Sequence, residues 1–161
     1  MESVPKCRIF IHGLDSSNKG TKAEFFKKKF PDMIIPHFIG SLDERMLQLN
    51  RILSEAERTI MVGSSFGGLM ASIFAMENGS RVERLILLAP AINMFPFTEH
   101  ENKRITLPVQ IYHGLQDEVI PLEAVKTAAE RMFRQFSFHA VDDDHFLHHT
   151  FMKMDWDYLL T

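Results

Sequence analysis

The sequence predicts an α/β fold: a doubly wound, mostly parallel six-stranded sheet with helices on both faces, in one domain over residues 1–161. Three observations predict it. Apolar runs of strand length alternate with amphipathic stretches of helix length. The run Arg84-Leu85-Ile86-Leu87-Leu88 is apolar without alternation, as in a strand covered on both faces. Residues able to carry chemistry fall just after such runs, and open parallel sheets bind ligands beyond the carboxyl ends of their strands.

The elements follow in order. Arg8 to Ile11 is the first strand. A Ser/Asn/Gly turn leads to a helix ending near Phe30, with Ala23, Phe26 and Phe30 on one face and Lys27-Lys28-Lys29 in solvent. Met33-Ile34-Ile35 is the second strand, ended by Pro36. Ser41 and Glu44 form a capping box ahead of a helix whose stripe is Leu42, Met46, Leu49, Leu53 and Ala56. Thr59 to Val62 is the third strand, and it runs into Gly63-Ser64-Ser65-Phe66-Gly67-Gly68. The helix that follows, to about Asn78, is apolar around most of its circumference and belongs centrally against the sheet. After the fourth strand at residues 84–88, the stretch from Ala91 to Thr106 is irregular. Val109 to His113 is the fifth strand, and Pro121 opens a helix with Leu122, Val125, Ala129 and Met132 in phase. Phe136 to Val141 is the sixth strand. A last helix runs from about Phe146 to Leu160, burying Leu147, Phe151, Met154 and Tyr158.

Composition narrows the function classes. With 45% of residues apolar, a core can form without a metal or disulfide. The single cysteine, Cys7, allows no internal disulfide and reads as a small hydrophobe in the first strand. Net charge is −3 and no face is strongly basic, which speaks against nucleic acid or an anionic membrane as partner. The opening stretch Met1 to Lys6 carries no signal-peptide pattern, and no apolar run approaches ~18 residues. A cytoplasmic protein is expected.

Gly63-Ser64-Ser65-Phe66-Gly67 matches G-x-S-x-G between a strand and a helix. That spacing puts a serine on a sharp turn above the sheet, with small residues where strand and helix meet and a helix N-terminus facing the reacting centre. Ser65 is the centred residue, with Ser64 as the neighbouring alternative. Asp117, in Gly114-Leu115-Gln116-Asp117 after the fifth strand, can accept an imidazole N–H and fix its tautomer; Glu118 is the fallback acid. His145, after the sixth strand, can take the serine proton near neutral pH, with His148 and His149 as competitors placed in the last helix. Asp142-Asp143-Asp144 reads as a solvated loop and helix N-terminal charge rather than a metal site. The N–H of Phe66 and, after the first strand, that of Leu14 are the candidate oxyanion donors. His12 is read as holding the turn at Gly13, His113 as architectural, and His37 has no assignment. Met94, Phe95, Phe97 and Phe146, with Phe66, could line an apolar acyl pocket or belong to the core.

These residues resemble the α/β-hydrolase superfamily, whose triad runs Ser, Asp, His along the chain. The chain is most similar to small bacterial serine esterases without a cap domain, which begin with a strand followed by H-G-F-N-S-S. Here that stretch is His12-Gly13-Leu14-Asp15-Ser16-Ser17, with Leu14 and Asp15 in place of phenylalanine and asparagine. Gly63 to Gly68, Gly114 to Asp117 and Asp144-His145-Phe146 match the remaining landmarks. The resemblance implies a minimal α/β-hydrolase fold and hydrolysis of an ester or thioester through an acyl-enzyme, with no cofactor and no metal. The segment after the fourth strand is too short for a helical cap, so the site should be open and suited to short acyl groups. The substrate is expected to be a small-molecule ester or thioester, with neither nucleic acid nor membrane as partner. Competing readings are a binding module on the same fold and cleavage of a peptide, lactone or C–C bond by the same triad.

Overall fold

A computed structural model describes residues 6–161; Met1 to Pro5, in the opening stretch read above for targeting signals, lie outside the described residues. Five strands form one parallel sheet: β1 (Cys7–Ile11), β2 (Thr59–Ser64), β3 (Val82–Leu88), β4 (Val109–Gly114) and β5 (Phe136–Val141), side by side in chain order. The helices are α1 (Thr21–Lys29), α2 (Leu42–Ile52), α3 (Phe66–Glu77), α4 (Leu122–Met132) and a single turn, α5 (Trp156–Leu159).

The expected strand at Met33 to Ile35 is reduced to one bridge. Ile34 pairs with Ile9 on the outer edge of β1, donating to the Arg8 carbonyl at 2.8 Å and accepting from Phe10 at 3.0 Å. Pro36 has no N–H with which to extend the ladder. Among the described residues the sheet therefore has five strands where six were expected.

Alternation along the strands sorts the core into two layers. Ile9, Ile11, Met61, Leu85, Leu87, Val109 and Ile111 face the layer holding α2, α3 and α4. Phe10, Ile60, Val62, Ile86 and Leu88 face Ala23 and Phe26 of α1 and Trp156 and Leu159 of α5. Right-handed connections explain the division: β1 leads outward through α1 to Ile34, and the chain then returns through α2 to β2 and continues the other way. The direction reverses between β1 and β2, and the crevice at the carboxyl ends of those two strands is where such a sheet binds ligands.

Local signals hold well for α2 and α3. Ser41 Oγ accepts from the Glu44 N–H and Glu44 returns a bond to the Ser41 N–H, so the capping box forms as read. Ten of the twelve residues of α3 are buried, as its all-round apolar character requires.

The last helix does not form as one piece. Residues after His145 make turns and a short 3-10 segment, Phe151–Lys153, before α5 begins. Buried Asp143 accepts from the N–H groups of Asp144, His149 and Thr150, and Leu147 is held at φ +52°. Such side-chain bonds compete with the helical ladder. Asp155 then restarts the helix by accepting from the Tyr158 N–H. The helical phase is reset, so Trp156, Leu159 and Leu160 enter the core and Tyr158, expected inside, is 75% exposed. His148 and His149 accordingly lie in turns, not in a helix.

Candidate active site

Ser65 sits between β2 and α3 at φ +54°, ψ −116°, a left-handed backbone that a residue with a Cβ adopts only under constraint. The constraint is packing. An added Cβ on Gly67 would lie 2.0 Å from the Ile11 carbonyl oxygen, and one on Gly63 would lie 2.5 Å from the Gly67 oxygen. Only bare backbone lets α3 begin this close to β1 and β2. The Ser65 carbonyl is tied down by the N–H groups of Gly68 and Ala91, both at 2.9 Å.

Asp117 follows β4 in a loop that it organises itself. Its side chain is 0% exposed. Oδ1 accepts from the N–H groups of Val119 and Ile120, both at 2.8 Å, and Oδ2 faces His145 Nδ1 at 2.7 Å. Since Oδ2 can only accept, the proton of this pair is on His145 Nδ1, and Nε2 is left with a lone pair. That Nε2 lies 3.1 Å from Ser65 Oγ. The structure thus brings Ser65, His145 and Asp117 into one hydrogen-bonded chain from three separate strand ends. Ser64 ends β2, and Glu118, His148 and His149 take no part in that chain.

His145 is positioned by its own loop. The Asp143 carboxyl is pushed up by burial but pulled down more strongly by the hydrogen bonds from Thr150, Asp144 and His149, so it stays below its ordinary range. Asp144 accepts from the Phe146 N–H and pairs with His148. The acidic triplet is therefore a loop scaffold, with Asp143 buried inside it instead of solvated as expected. Lys22, reaching across from α1, donates to the Phe146 carbonyl at 2.7 Å.

Phe66 is the first residue of α3, and the first N–H groups of a helix have no intrahelical acceptor. The loop carrying Leu14 lies against the same serine, because a Cβ on Gly13 would be 3.3 Å from Ser65 Cβ and 3.9 Å from its Oγ. His12 fixes this loop. Its Nδ1–H donates to the Gly13 carbonyl at 2.7 Å, and its Nε2 accepts from the Phe38 N–H at 2.9 Å. Burial holds the His12 imidazole below its ordinary pKa, in keeping with the neutral ring those two bonds require. His37 stacks on that ring.

The four residues named for an acyl pocket part company. Phe146 is 58% exposed beside the His145 ring, with centroids 5.6 Å apart, and Met94 is 61% exposed after β3. Phe95, at 5% exposure, belongs to the core against Phe97 and His100, which corrects its placement in the pocket. Phe97 lies beneath the Arg131 guanidinium and lines a groove of about 420 Å³ with Asn93, Glu123, Ala124, Thr127 and Ala128. None of Ser65, Asp117 and His145 lines that groove. Phe66 is nearly buried, with the Arg45 guanidinium 5.5 Å from its ring centroid.

Residues 41–152, more than two-thirds of the chain, match the family model described as the alpha/beta hydrolase family. The chain belongs to that family. Among curated proteins, this hydrolase-family chain is 37% identical over 68 residues to the 2-hydroxymuconate semialdehyde hydrolase of Pseudomonas sp. (strain CF600). The matched stretch covers 42% of the present chain and 21% of that relative's length. Its fold is similar to that of an alpha-beta serine hydrolase homologue from Coxiella burnetii, with a TM-score of 0.75 and 18% identity over 99% of this chain and 85% of that one. It is also similar to Est1E from Butyrivibrio proteoclasticus, in a structure with ferulic acid bound, with a TM-score of 0.73 and 18% identity over 92% and 85% of the two chains. No helix among the described residues is long and apolar enough to cross a membrane.

The sequence pattern marked Asp143 only as one of three solvated acidic residues and gave Lys22 no role. Asp143 had a signal in its place directly before the histidine loop, but turn aspartates are common. Lys22 had none, because its partner lies 124 residues away.

Proposed function

We propose that this chain is a serine hydrolase that cleaves small carboxylic esters or thioesters through an acyl-enzyme. The relay from Ser65 Oγ to His145 Nε2 at 3.1 Å, and from His145 Nδ1 to Asp117 at 2.7 Å, carries the proposal. Ser65 attacks the carbonyl carbon while His145 Nε2 takes the hydroxyl proton. The N–H groups of Leu14 and Phe66 receive the oxyanion, supported by the α3 N-terminus. Collapse of this intermediate expels the alcohol or thiol, which leaves with the proton from His145. Water then attacks the acyl-enzyme by the same route and releases the acid. Asp117 keeps the imidazole in the required tautomer and stabilises the imidazolium.

The segment from Ala91 to Thr106 contains only two 3-10 turns, Ile92–Met94 and Phe97–Glu99, so no helical cap rises from it. Leu14, Met94 and Phe146 are exposed apolar groups on the loops after β1, β3 and β5, and they offer an open surface for a short acyl group. The substrate is a small molecule met in the cytoplasm. A fluorophosphonate probe should label Ser65, and a panel of nitrophenyl esters and acyl thioesters should be turned over with short chains preferred. Ser65→Ala should lower kcat by several orders of magnitude. Normal turnover by Ser65→Ala would refute the mechanism, and absence of labelling would favour a binding module.

The match to a 2-hydroxymuconate semialdehyde hydrolase favours a second reading, in which the same nucleophile acts on a semialdehyde rather than an ester. Turnover of 2-hydroxymuconate semialdehyde with no ester turnover would select it.

A further inference from the structure

His113, the penultimate residue of β4, is buried four residues before Asp117 and is not used in the proposed mechanism. Its Nε2 lies 2.9 Å from the Ile120 carbonyl oxygen and 3.2 Å from Asp117 Oδ2. Both neighbours are acceptors, so Nε2 carries the proton. Nδ1 is buried with no hydrogen-bond partner. A second proton would have to sit there, without an acceptor and away from water. Burial accordingly depresses the His113 pKa, and the nearby His145 does so further, while Ile120 and Asp117 pull the other way. Asp117 and His145 are the ionisable groups that face it. The ring is a neutral donor.

Its contacts reach the proposed acid twice. Nε2 lies 3.2 Å from Asp117 Oδ2, the oxygen that receives His145 Nδ1, while its hydrogen bond goes to Ile120. The same N–H pins the carbonyl of Ile120, whose own N–H donates to Asp117 Oδ1. We propose that His113 is a positioning residue for the triad: an Nε2–H donor that pins the Ile120 carbonyl beside Asp117 and so holds that carboxylate in line with His145 Nδ1. This role rests on the proposed triad.

Removing the donor frees the Ile120 carbonyl and loosens the loop that closes on Asp117. A loosened Asp117 orients His145 less well, which lowers kcat without touching substrate contacts.

The experiment compares wild type, His113→Leu and His113→Gln, whose amide nitrogen can reach the Nε2 position. His113→Leu should lose about ten- to hundredfold in kcat and keep KM within about twofold. His113→Gln should recover most of the loss. In an Asp117→Asn background His113→Leu should cost less than about twofold, because the residue acts through Asp117. Equal kcat in all three proteins, or a full additive loss in the Asn background, overturns the role. Where His113→Leu does not fold, the wild-type protein decides through ¹⁵N-imidazole spectra. A neutral Nε2–H tautomer from about pH 5 to pH 8 supports the role, and an Nδ1–H tautomer or a titrating ring refutes it. Fluorophosphonate labelling of wild-type Ser65 runs alongside. Its failure removes the triad reading and this role with it, whereas intact labelling with unaffected His113 variants removes this role alone.

Discussion

Replacing Gly67 by alanine should cost the protein both stability and activity, and the size of the effect follows from one contact. The new Cβ would stand 2.0 Å from the Ile11 oxygen, 2.6 Å from the Ile11 carbonyl carbon and 2.7 Å from the His12 oxygen. A carbon and a carbonyl oxygen reach ordinary contact near 3.3 Å, so the start of α3 must move away from the end of β1 by roughly 1.3 Å. All three obstacles are backbone, and no side chain can rotate aside. Overpacking of this kind costs about 1–3 kcal/mol, and the shift falls between the loop that carries Leu14 and the first turn of α3, which carries Phe66. A displacement of about 1 Å at reacting groups can cost about 10²-fold in rate. Gly79→Ala is the matched control, since nothing lies within 4 Å of its added Cβ. It should leave kcat unchanged and stability equal or up to about 1 kcal/mol higher. Urea denaturation gives the stability of each variant, and ester turnover normalised to the folded fraction gives its activity. If Gly67→Ala matched Gly79→Ala in both, the contact between α3 and β1 would not be what holds the serine in place.

Asp117→Asn should lower kcat by about 10⁴-fold with little loss of stability, measured as ester turnover beside a thermal melt. The Asn carbonyl takes over the bonds from Val119 and Ile120, which turns its NH₂ toward His145 Nδ1, forces the proton onto Nε2 and blocks uptake of the serine proton. Asp143→Ala removes the carboxylate that gathers three part-buried N–H groups and should destabilise the fold by about 1–3 kcal/mol in urea titrations near neutral pH. Because the folded-state pKa of Asp143 is depressed, its contribution is complete above the unfolded value near 4 and fades as pH falls through the folded one, so the two proteins' stabilities should converge in acid and not in base.

Much of this arrangement is legible in the chain because the informative signals are local. Continuous apolar runs marked β2 and β3, the capping box fixed the start of α2, and G-x-S-x-G lay where β2 meets α3. What escaped was decided between distant segments. The stretch after His145 has helical periodicity through Leu147, Phe151 and Met154, yet Asp143 captures the N–H groups that a helix would have used. Phe95 and Phe97 occupy equivalent positions in an irregular stretch, and only the packing of α4 and His100 sends the first inward and sets the second beneath Arg131. Ile34 has strand propensity on both sides, but Pro36 limits it to one bridge at the edge of β1.

The same comparison explains how so few elements can hold a three-residue relay. Each of its members lies on a turn, and turns are the mobile parts of a fold. Here each turn is pinned by a buried group whose bonds run to backbone. The Ser65 turn is wedged by Gly63 and Gly67 against bare strand ends. The acid's loop closes on Asp117 itself, with His113 behind it. The histidine loop closes on Asp143, and the loop carrying Leu14 closes on His12. Buried carboxylates and neutral imidazoles suit this task because each joins several backbone groups that hydrophobic packing cannot satisfy. With only two 3-10 turns between β3 and β4, these internal bonds replace the rigidity that a covering layer would bring. The site is left open above while its base is held from below.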